Sequence, residues 1–333
     1  ITESLPVYNS ETNLIEYKDT DYVPVLYNMF NEILVNARDH KIRLQGKNVP
    51  QVMNIKVNFN EETGEMSIYN DGQGIPVEIH SKEKVYNPEL IFGHLLTSSN
   101  YNKDEKKIVG GKNGYGAKIT NIFSTYFKVE TIDDKKKLYY SQEFHKNMTI
   151  IDKPVIKKCS KKPYTRITWR TDLQRFKITQ FSSNMVSLMV RRIYDIAGIT
   201  ENKLNVYYND EKIKIKSFQD YLKLYPTPST KIYEYISDRW EVSACPSSSD
   251  KFEQLSFVNG IATPKGGIHV DMIVKQITSG VVAYIKKTKK KDVLEKYVKN
   301  YLSVYINSVI ENPSFDSQTK ERLITPKSKL DQN

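Results

Sequence analysis

The chain has 333 residues and a formal net charge of +11, with 39% hydrophobic and 27% charged residues. That length exceeds what one hydrophobic core usually serves, so two compact domains are expected. No stretch approaches the roughly 18 apolar residues of a membrane-spanning helix, and the first residues, "ITESLPVYNSET", lack the basic start and apolar run of a secretory signal.

Residues 22–41 are predicted helical: Pro24 suits a first turn, and Leu26, Met29, Phe30, Ile33 and Ala37 recur at helical spacing. Alternating Met53, Ile55, Val57 and Phe59 predict a half-buried strand, "NEETGE" turns the chain, and "MSIYN" returns as a second strand. "NPELIFGHLL" reads as helix to about Leu96, the polar stretch that follows as a long loop, "KITNIFSTY" as helix and "FKVETI" as strand. Beyond residue 150, "YTRITWRT", "KLNVYYND", "RWEVSAC" and "QLSFVNG" predict strands. "SSNMVSLMVRRIYDIAG", "HVDMIVKQITSGVVAYIKK" and "EKYVKNYLSVYINSVI" predict helices. This change of texture sets an expected boundary at 155/156, with a mixed α+β fold on both sides.

Two cysteines, Cys159 and Cys245, build neither a disulfide framework nor a metal-ligand spacing, and an intracellular location is expected. The chain does not begin with Met, which reads as a fragment. The charge is uneven: Ile285–Lys299 holds seven lysines against Asp292 and Glu295, a net of +5. Such a cluster suits a polyanion, most simply a nucleic-acid backbone, or else a solvated helix end.

Three stretches carry groups suited to chemistry. In "NEILVNARDH", Glu32, Asn36 and Asp39 fall at i, i+4 and i+7, one stripe opposite the apolar face. An amide oxygen on Asn36 suits a hard cation such as Mg²⁺, and Glu32 a turn away suits proton abstraction from a water. The same stripe is also the ordinary polar face of an amphipathic helix. "NDGQGIP" follows a strand; Gly72 and Gly74 either make a tight connection or let a flat ligand approach the backbone. On the second reading Asp71 accepts from an exocyclic amine such as adenine's.

"GGKNGYGAK" concentrates four glycines in nine residues, in a chain with 14 glycines overall. It matches neither a Walker A loop nor the dinucleotide fingerprint. It precedes a helix, so backbone N–H groups from Asn113 to Ala117 can converge on an anion, with Lys112 and Lys118 adding charge. "TSSN" (Thr97 to Asn100) offers hydroxyls and an amide to the same ligand.

The order of these pieces is the ATP-binding signature of the gyrase, Hsp90, histidine-kinase and MutL superfamily. "EILVNARDH", "YNDGQGIPV", "LIFGHLLTSSNYNKDEKKIVGGKNGYGAKITNIFST", "MVRRIYDIAG", "SFVNGIATPKGGIHVD" and "ENPSFDSQTKE" resemble, in register over nearly the whole chain, the ATPase region of eukaryotic-type DNA topoisomerase II. The resemblance implies a GHKL (Bergerat) ATP-binding α/β sandwich over 1–155, then a ribosomal-protein-S5-type β-α transducer over 156–333. It implies ATP and Mg²⁺ as cofactors, with Glu32 as general base and Asn36 as Mg²⁺ ligand. Asp71 and Thr165 would lie at adenine, Ser98, Ser99 and Asn100 at ribose and phosphates. Lys112, Asn113, Gly114, Tyr115, Gly116 and Lys118 would form the phosphate lid. Gln318, Thr319 and Lys320 match the Q-T-K loop, whose lysine meets the γ-phosphate.

The implied role is the ATP-operated gate of a type IIA topoisomerase: a homodimer through the ATP-binding domain, acting on double-stranded DNA without sequence preference and needing no membrane. Lys286, Lys287, Lys289, Lys290 and Lys291 match a basic, DNA-facing transducer loop. The implied location is the nucleus of a eukaryotic cell, or a site of viral DNA replication. The chain departs from the family's pattern at His40, where Asn is usual. It also lacks the strap motif expected ahead of this region and the cleavage domain expected after it. The alternatives are another clamp with the same nucleotide fold, MutL-like or Hsp90-like, and a non-hydrolysing DNA-binding scaffold.

Overall fold

The structure, a computed structural model, describes residues 1–94, 116–200, 204–227, 230–317 and 319–330. Two compact units result: among the described residues, one runs to Leu224 and the other starts at Tyr225.

The first unit opens with an antiparallel hairpin, β1 (Thr2–Asn9) and β2 (Leu14–Asp21), and continues into α1 (Pro24–Leu44). Pro24 starts α1 at a position whose N–H has no intrahelical partner, and Lys41 and Arg43 in its last turn complement the helix dipole. Then come β3 (Asn54–Asn60), β4 (Glu65–Asp71), α2 (Asn87–Gly93), α3 (Gly116–Ile122), β5 (Ser124–Asp133), β6 (Leu138–His145), β7 (Ile150–Ile151), β8 (Val155–Lys158) and β9 (Tyr164–Thr171). The unit closes with α4 (Ser183–Ile199), β10 (Asn205–Tyr208), β11 (Glu211–Lys212) and α5 (Phe218–Leu222). Nine of its described strands form one sheet, β11-β10-β3-β4-β9-β5-β6-β7, with β8 also on β6. Met66, Ile68 and Asn70 are the buried positions of β4, alternating with half-buried Ser67, Tyr69 and Asp71, so one sheet face packs inward.

The expected boundary at 155/156 is corrected. β9 pairs with β4 on one side and β5 on the other, and β10 runs parallel to β3. Cutting before β9 would expose both neighbours' backbone groups, so β9, β10 and β11 belong to the first sheet. A buried polar cluster fastens α4 to α1. The Arg192 guanidinium donates to the Asn31 side chain (2.6 Å) and pairs with Asp195 (3.2 Å), which also meets Arg191 (3.1 Å) and the Tyr221 hydroxyl (2.5 Å).

The second unit holds β12 (Ile232–Ser237), β13 (Trp240–Pro246), β14 (Glu253–Val258), β15 (Ile261–Ala262), α6 (Ile268–Lys289), α7 (Glu295–Asn300), β16 (Leu302–Ser308) and α8 (Lys327–Leu330). Its sheet order is β12-β13-β16-β14-β15, with β14 and β16 parallel, as a crossover through α6 requires. Trp240, Val242, Leu302, Val304 and Ile306 pack against Val270, Ile273 and Val274 of α6.

One predicted helix is a strand. "EKYVKNYLSVYINSVI" is helical only over Glu295–Asn300, and Leu302–Ser308 is the central strand of this sheet. Leu302, Val304 and Ile306 alternate into the core, a period of two that the apolar i, i+4 coincidences in the same run conceal. Among the described residues no helix is long and apolar enough to cross a membrane.

Candidate nucleotide site

The inner face of α1 packs into the first core through Leu26, Met29, Phe30, Ile33, Leu34 and Ala37. Glu32 and Asn36, one turn apart, are half-buried beside that face. Asp39, expected on the same outward stripe, is instead fully buried, 3.6 Å from Arg38. Two turns bring an i+7 residue back to within about 20° of its start, so Asp39 keeps Glu32's side of α1 and is buried by what packs over that end of the helix.

α3 docks on α1, with the Thr120 hydroxyl 3.3 Å from the Met29 carbonyl. This brings Gly116, the first residue of α3, against Glu32. A Cβ at Gly116 would lie 2.3 Å from Glu32 Oε2 and 2.6 Å from its Cδ. The carboxylate therefore sits where only a glycine leaves room, at the N-terminus of the helix that follows the glycine-rich stretch. Lys118 is 1% exposed, and burial brings its pKa down to about 8. Ser98, Ser99, Asn100, Lys112, Asn113, Gly114, Tyr115 and Gln318 lie outside the described residues.

Asp71 is not placed as expected. Its carboxylate accepts from the Met53 and Asn54 N–H groups (2.7 and 2.8 Å) and from the Asn54 amide (2.5 Å), bracing the start of β3. Those bonds engage both oxygens, Oδ1 twice and Oδ2 once, and strand alternation puts Asp71 opposite the buried face of β4. The residue on that buried face is its neighbour Asn70, which sequence reasoning passed over. A period-two reading of "MSIYN" would have found it.

Across the sheet, Asn70 is in register with Thr165 of β9, and Thr165 with Thr131 of β5. The Thr131 hydroxyl donates to the Tyr164 carbonyl (3.0 Å) and accepts from the Ile75 N–H (3.0 Å), with the Thr165 hydroxyl 3.1 Å away. A hydroxyl has one proton, so Thr165 donates to Thr131 and keeps its lone pairs as acceptors. The Asn70 amide donates to the Asp71 carbonyl (2.8 Å), leaving its oxygen as acceptor. Asn70 and Thr165 thus make a paired acceptor patch.

Gly72 and Gly74 serve the fold rather than a ligand. A Cβ on Gly74 would fall 1.8 Å from the Ile132 carbonyl oxygen, and one on Gly72 (φ 92°) would meet Val52 at 2.7 Å. His40 braces the same turn, with Nε2 2.7 Å from the Gln73 carbonyl, and burial lowers its pKa, keeping it a neutral donor.

In the second unit, Lys320 is held at φ 59°, its N–H donating to the Ser317 carbonyl (3.2 Å). The segment just after it is anchored to the start of α6: Leu323 exchanges backbone bonds with Gly266 and Ile268 (3.0 and 3.1 Å). Gly267, at φ 135°, has no room for a Cβ beside the Leu323 backbone. Lys286, Lys287 and Lys289 end α6, Lys290 caps it in the left-handed region, and Lys291 follows; all five are exposed. The helix dipole favours cations there.

A family model described as "Histidine kinase-, DNA gyrase B-, and HSP90-like ATPase" matches residues 22–173, and one described as "DNA gyrase B" matches residues 200–330. The ATPase region of Saccharomyces cerevisiae topoisomerase II has the same fold, with a TM-score of 0.91 and 44% identity over 99% of this chain and 85% of that one. This chain belongs to the topoisomerase II family, in its ATPase region. The ATPase and transducer domains of DNA topoisomerase II from Balamuthia mandrillaris match equally, with a TM-score of 0.91 and 42% identity over 99% of this chain and 84% of that one. DNA topoisomerase 2 of Pisum sativum is 47% identical over 97% of this chain, and the chain spans 22% of that relative's length. The chain thus holds a GHKL-type ATPase domain and a transducer domain of the topoisomerase II type, the first family match ending at residue 173 and the second starting at residue 200.

Proposed function

We propose that this chain binds ATP with Mg²⁺ and hydrolyses it, as the ATP-operated gate of a type IIA DNA topoisomerase. The observation that carries the reading is the Glu32 carboxylate seated against Gly116, where α3 begins. The N–H groups at that helix start favour an anion, and Glu32 stands beside them. Glu32 takes a proton from a water as its oxygen attacks the γ-phosphorus and the bond to ADP breaks. The donors present fit Mg²⁺: Asn36 offers one amide oxygen beside a carboxylate, a hard-oxygen set with room for phosphates and water. Bound there, the ion would supply neutralisation of phosphate charge.

Asn70 and Thr165 face the base in place of Asp71. The buried cation of Lys118 and the glycine-rich residues before it hold the phosphates. Lys320, with Gln318, reads the γ-phosphate; one such preorganised cation lowers a phosphoryl-transfer barrier by on the order of a few kcal/mol. Loss of that contact after hydrolysis would release the switch.

Steady-state ATP turnover of the wild-type chain and of Glu32→Gln tests the reading. Turnover in the wild type, lost in the variant while ATP binding persists, is expected. Equal turnover in both would refute Glu32 as the base, and no turnover in either would favour a scaffold.

The proposed partners are a second copy of the chain, through the nucleotide-binding domain, and double-stranded DNA at Lys286, Lys287, Lys289, Lys290 and Lys291. Contacts of that kind go to phosphates and weaken steeply with salt. DNA should therefore stimulate ATP turnover at low salt, and replacing the five lysines by alanine should remove the stimulation. An unchanged stimulation would refute that surface. The relatives named above are eukaryotic, which favours the nucleus over a viral replication site.

A further inference from the structure

Towards the β7 edge of the first sheet, Glu143, His145 and Asp152 converge. β6 sends Glu143 and His145 to one side because they are two residues apart. The chain then turns through Lys146, Asn147 and Met148, all three left-handed at φ 49°, 59° and 64°. Three consecutive non-glycine residues there are unfavourable alone. Asn147 offsets this, its amide donating to the Ile122 carbonyl (3.0 Å) and Asp172 (3.2 Å) and its N–H to the Ser124 carbonyl (3.0 Å). On the way back, the Asp152 N–H donates to the Glu143 carbonyl at 3.0 Å. His145 Nε2 ends 3.2 Å from Asp152 Oδ2 and 3.7 Å from Glu143 Oε2.

We propose that Glu143, His145 and Asp152 form a binding site for a divalent transition metal, Zn²⁺ by ligand chemistry. Zinc bonds histidine nitrogen and carboxylate oxygen at about 2.0–2.2 Å in a tetrahedron, which spaces neighbouring ligand atoms roughly 3.3 Å apart. The two separations from His145 bracket that value. One imidazole with two carboxylates suits Zn²⁺, whereas Mg²⁺ and Ca²⁺ take oxygen sets. With His145 neutral the trio carries two negative charges, matching a dication in a chain that is otherwise basic.

Glu143 is already oriented from behind. Its Oε1 lies 3.7 Å from Lys128 Nζ. The three side chains are 37%, 33% and 50% exposed, so an ion and a water ligand can enter from solvent. A metal here would pin the β6–β7 turn across its strained residues. None of the three residues belongs to the nucleotide site.

The test is calorimetric titration of Zn²⁺ into the metal-stripped, nucleotide-free full chain, alongside thermal melting with Zn²⁺ or with chelator. One zinc per chain and a zinc-dependent rise in melting temperature are expected. His145→Ala should weaken binding at least about 10-fold and remove the rise. Asp152→Asn, at an exposed position, is the second variant and should weaken binding similarly. Glu32→Gln should bind zinc as the wild type does, which separates this site from the nucleotide site. Absence of zinc binding, or binding and melting unaffected by both His145→Ala and Asp152→Asn, would overturn the proposal.

Discussion

Gly116→Ala tests the geometry on which the catalytic reading rests. Gly116 lies outside the left-handed region, so an alanine there meets no backbone strain. Taken alone, Gly to Ala in a helix stabilises by about 0.5–1 kcal/mol. The added methyl, however, would sit 2.3 Å from Glu32 Oε2 and 2.7 Å from its Cγ. Ordinary contacts begin near ~3.5 Å, so the carboxylate must retreat by roughly 1 Å. Its side chain is flexible, and the helices need not move. A misplacement of about 1 Å costs on the order of 10²-fold in rate, or about 2.7 kcal/mol of barrier. The assay is ATP turnover, with melting temperature and nucleotide affinity measured on the same preparation. A kcat lower by about 10²-fold with the melting temperature held within a few degrees is expected. Turnover within about threefold of wild type, in a folded variant, would refute the placement of Glu32 as base.

Asp195 is buried among Arg191, Arg192 and Tyr221, so Asp195→Ala leaves two guanidinium groups uncompensated and should cost about 3–5 kcal/mol, read as a shift of the urea midpoint. Asn70→Ala should weaken nucleotide binding with little loss of stability. Asp71→Ala should instead destabilise the chain by about 1–3 kcal/mol, because the Met53 and Asn54 N–H groups lose their acceptor; titration and melting of both variants separate the two roles. His269 is fully buried, and desolvation lowers its pKa to about 3. Between the unfolded value near 6.5 and that folded value, only the unfolded chain binds the proton. This contribution is therefore complete above about pH 6.5 and is lost as pH falls, by about 1.4 kcal/mol per unit. Urea unfolding at pH 7 and pH 5 should show the wild type losing roughly 2 kcal/mol more than His269→Gln.

What could be read along the chain was whatever its chemistry declares within a few residues. Pro24 with its apolar spacing announced α1, the alternation from Met53 announced β3, and the apolar spacing of "KITNIF" announced α3. Glu32 and Asn36 were legible because a helix fixes which residues share a face. Asp39 was not, because burial along the stripe depends on what packs there.

The errors share that cause. "YLSVYINSVI" satisfies helical and strand spacing alike, and only its place between β13 and β14 decides for strand. The domain boundary looked local, yet β9 and β10 return to strands laid down far earlier, β9 as far back as Glu65 and β10 to Asn54. Asp71 looked like a ligand-facing acid until the tertiary structure showed its oxygens bound to the start of β3, with Asn70 on the inner face instead. Glu143 and His145 with Asp152 formed no recognisable spacing, since a turn of left-handed residues is what brings them together. The sequence by itself determined the family, the helix that carries the carboxylate and the glycine-rich approach to it. Which side chains face one another was decided only by the tertiary structure, because that depends on pairing partners far away along the chain.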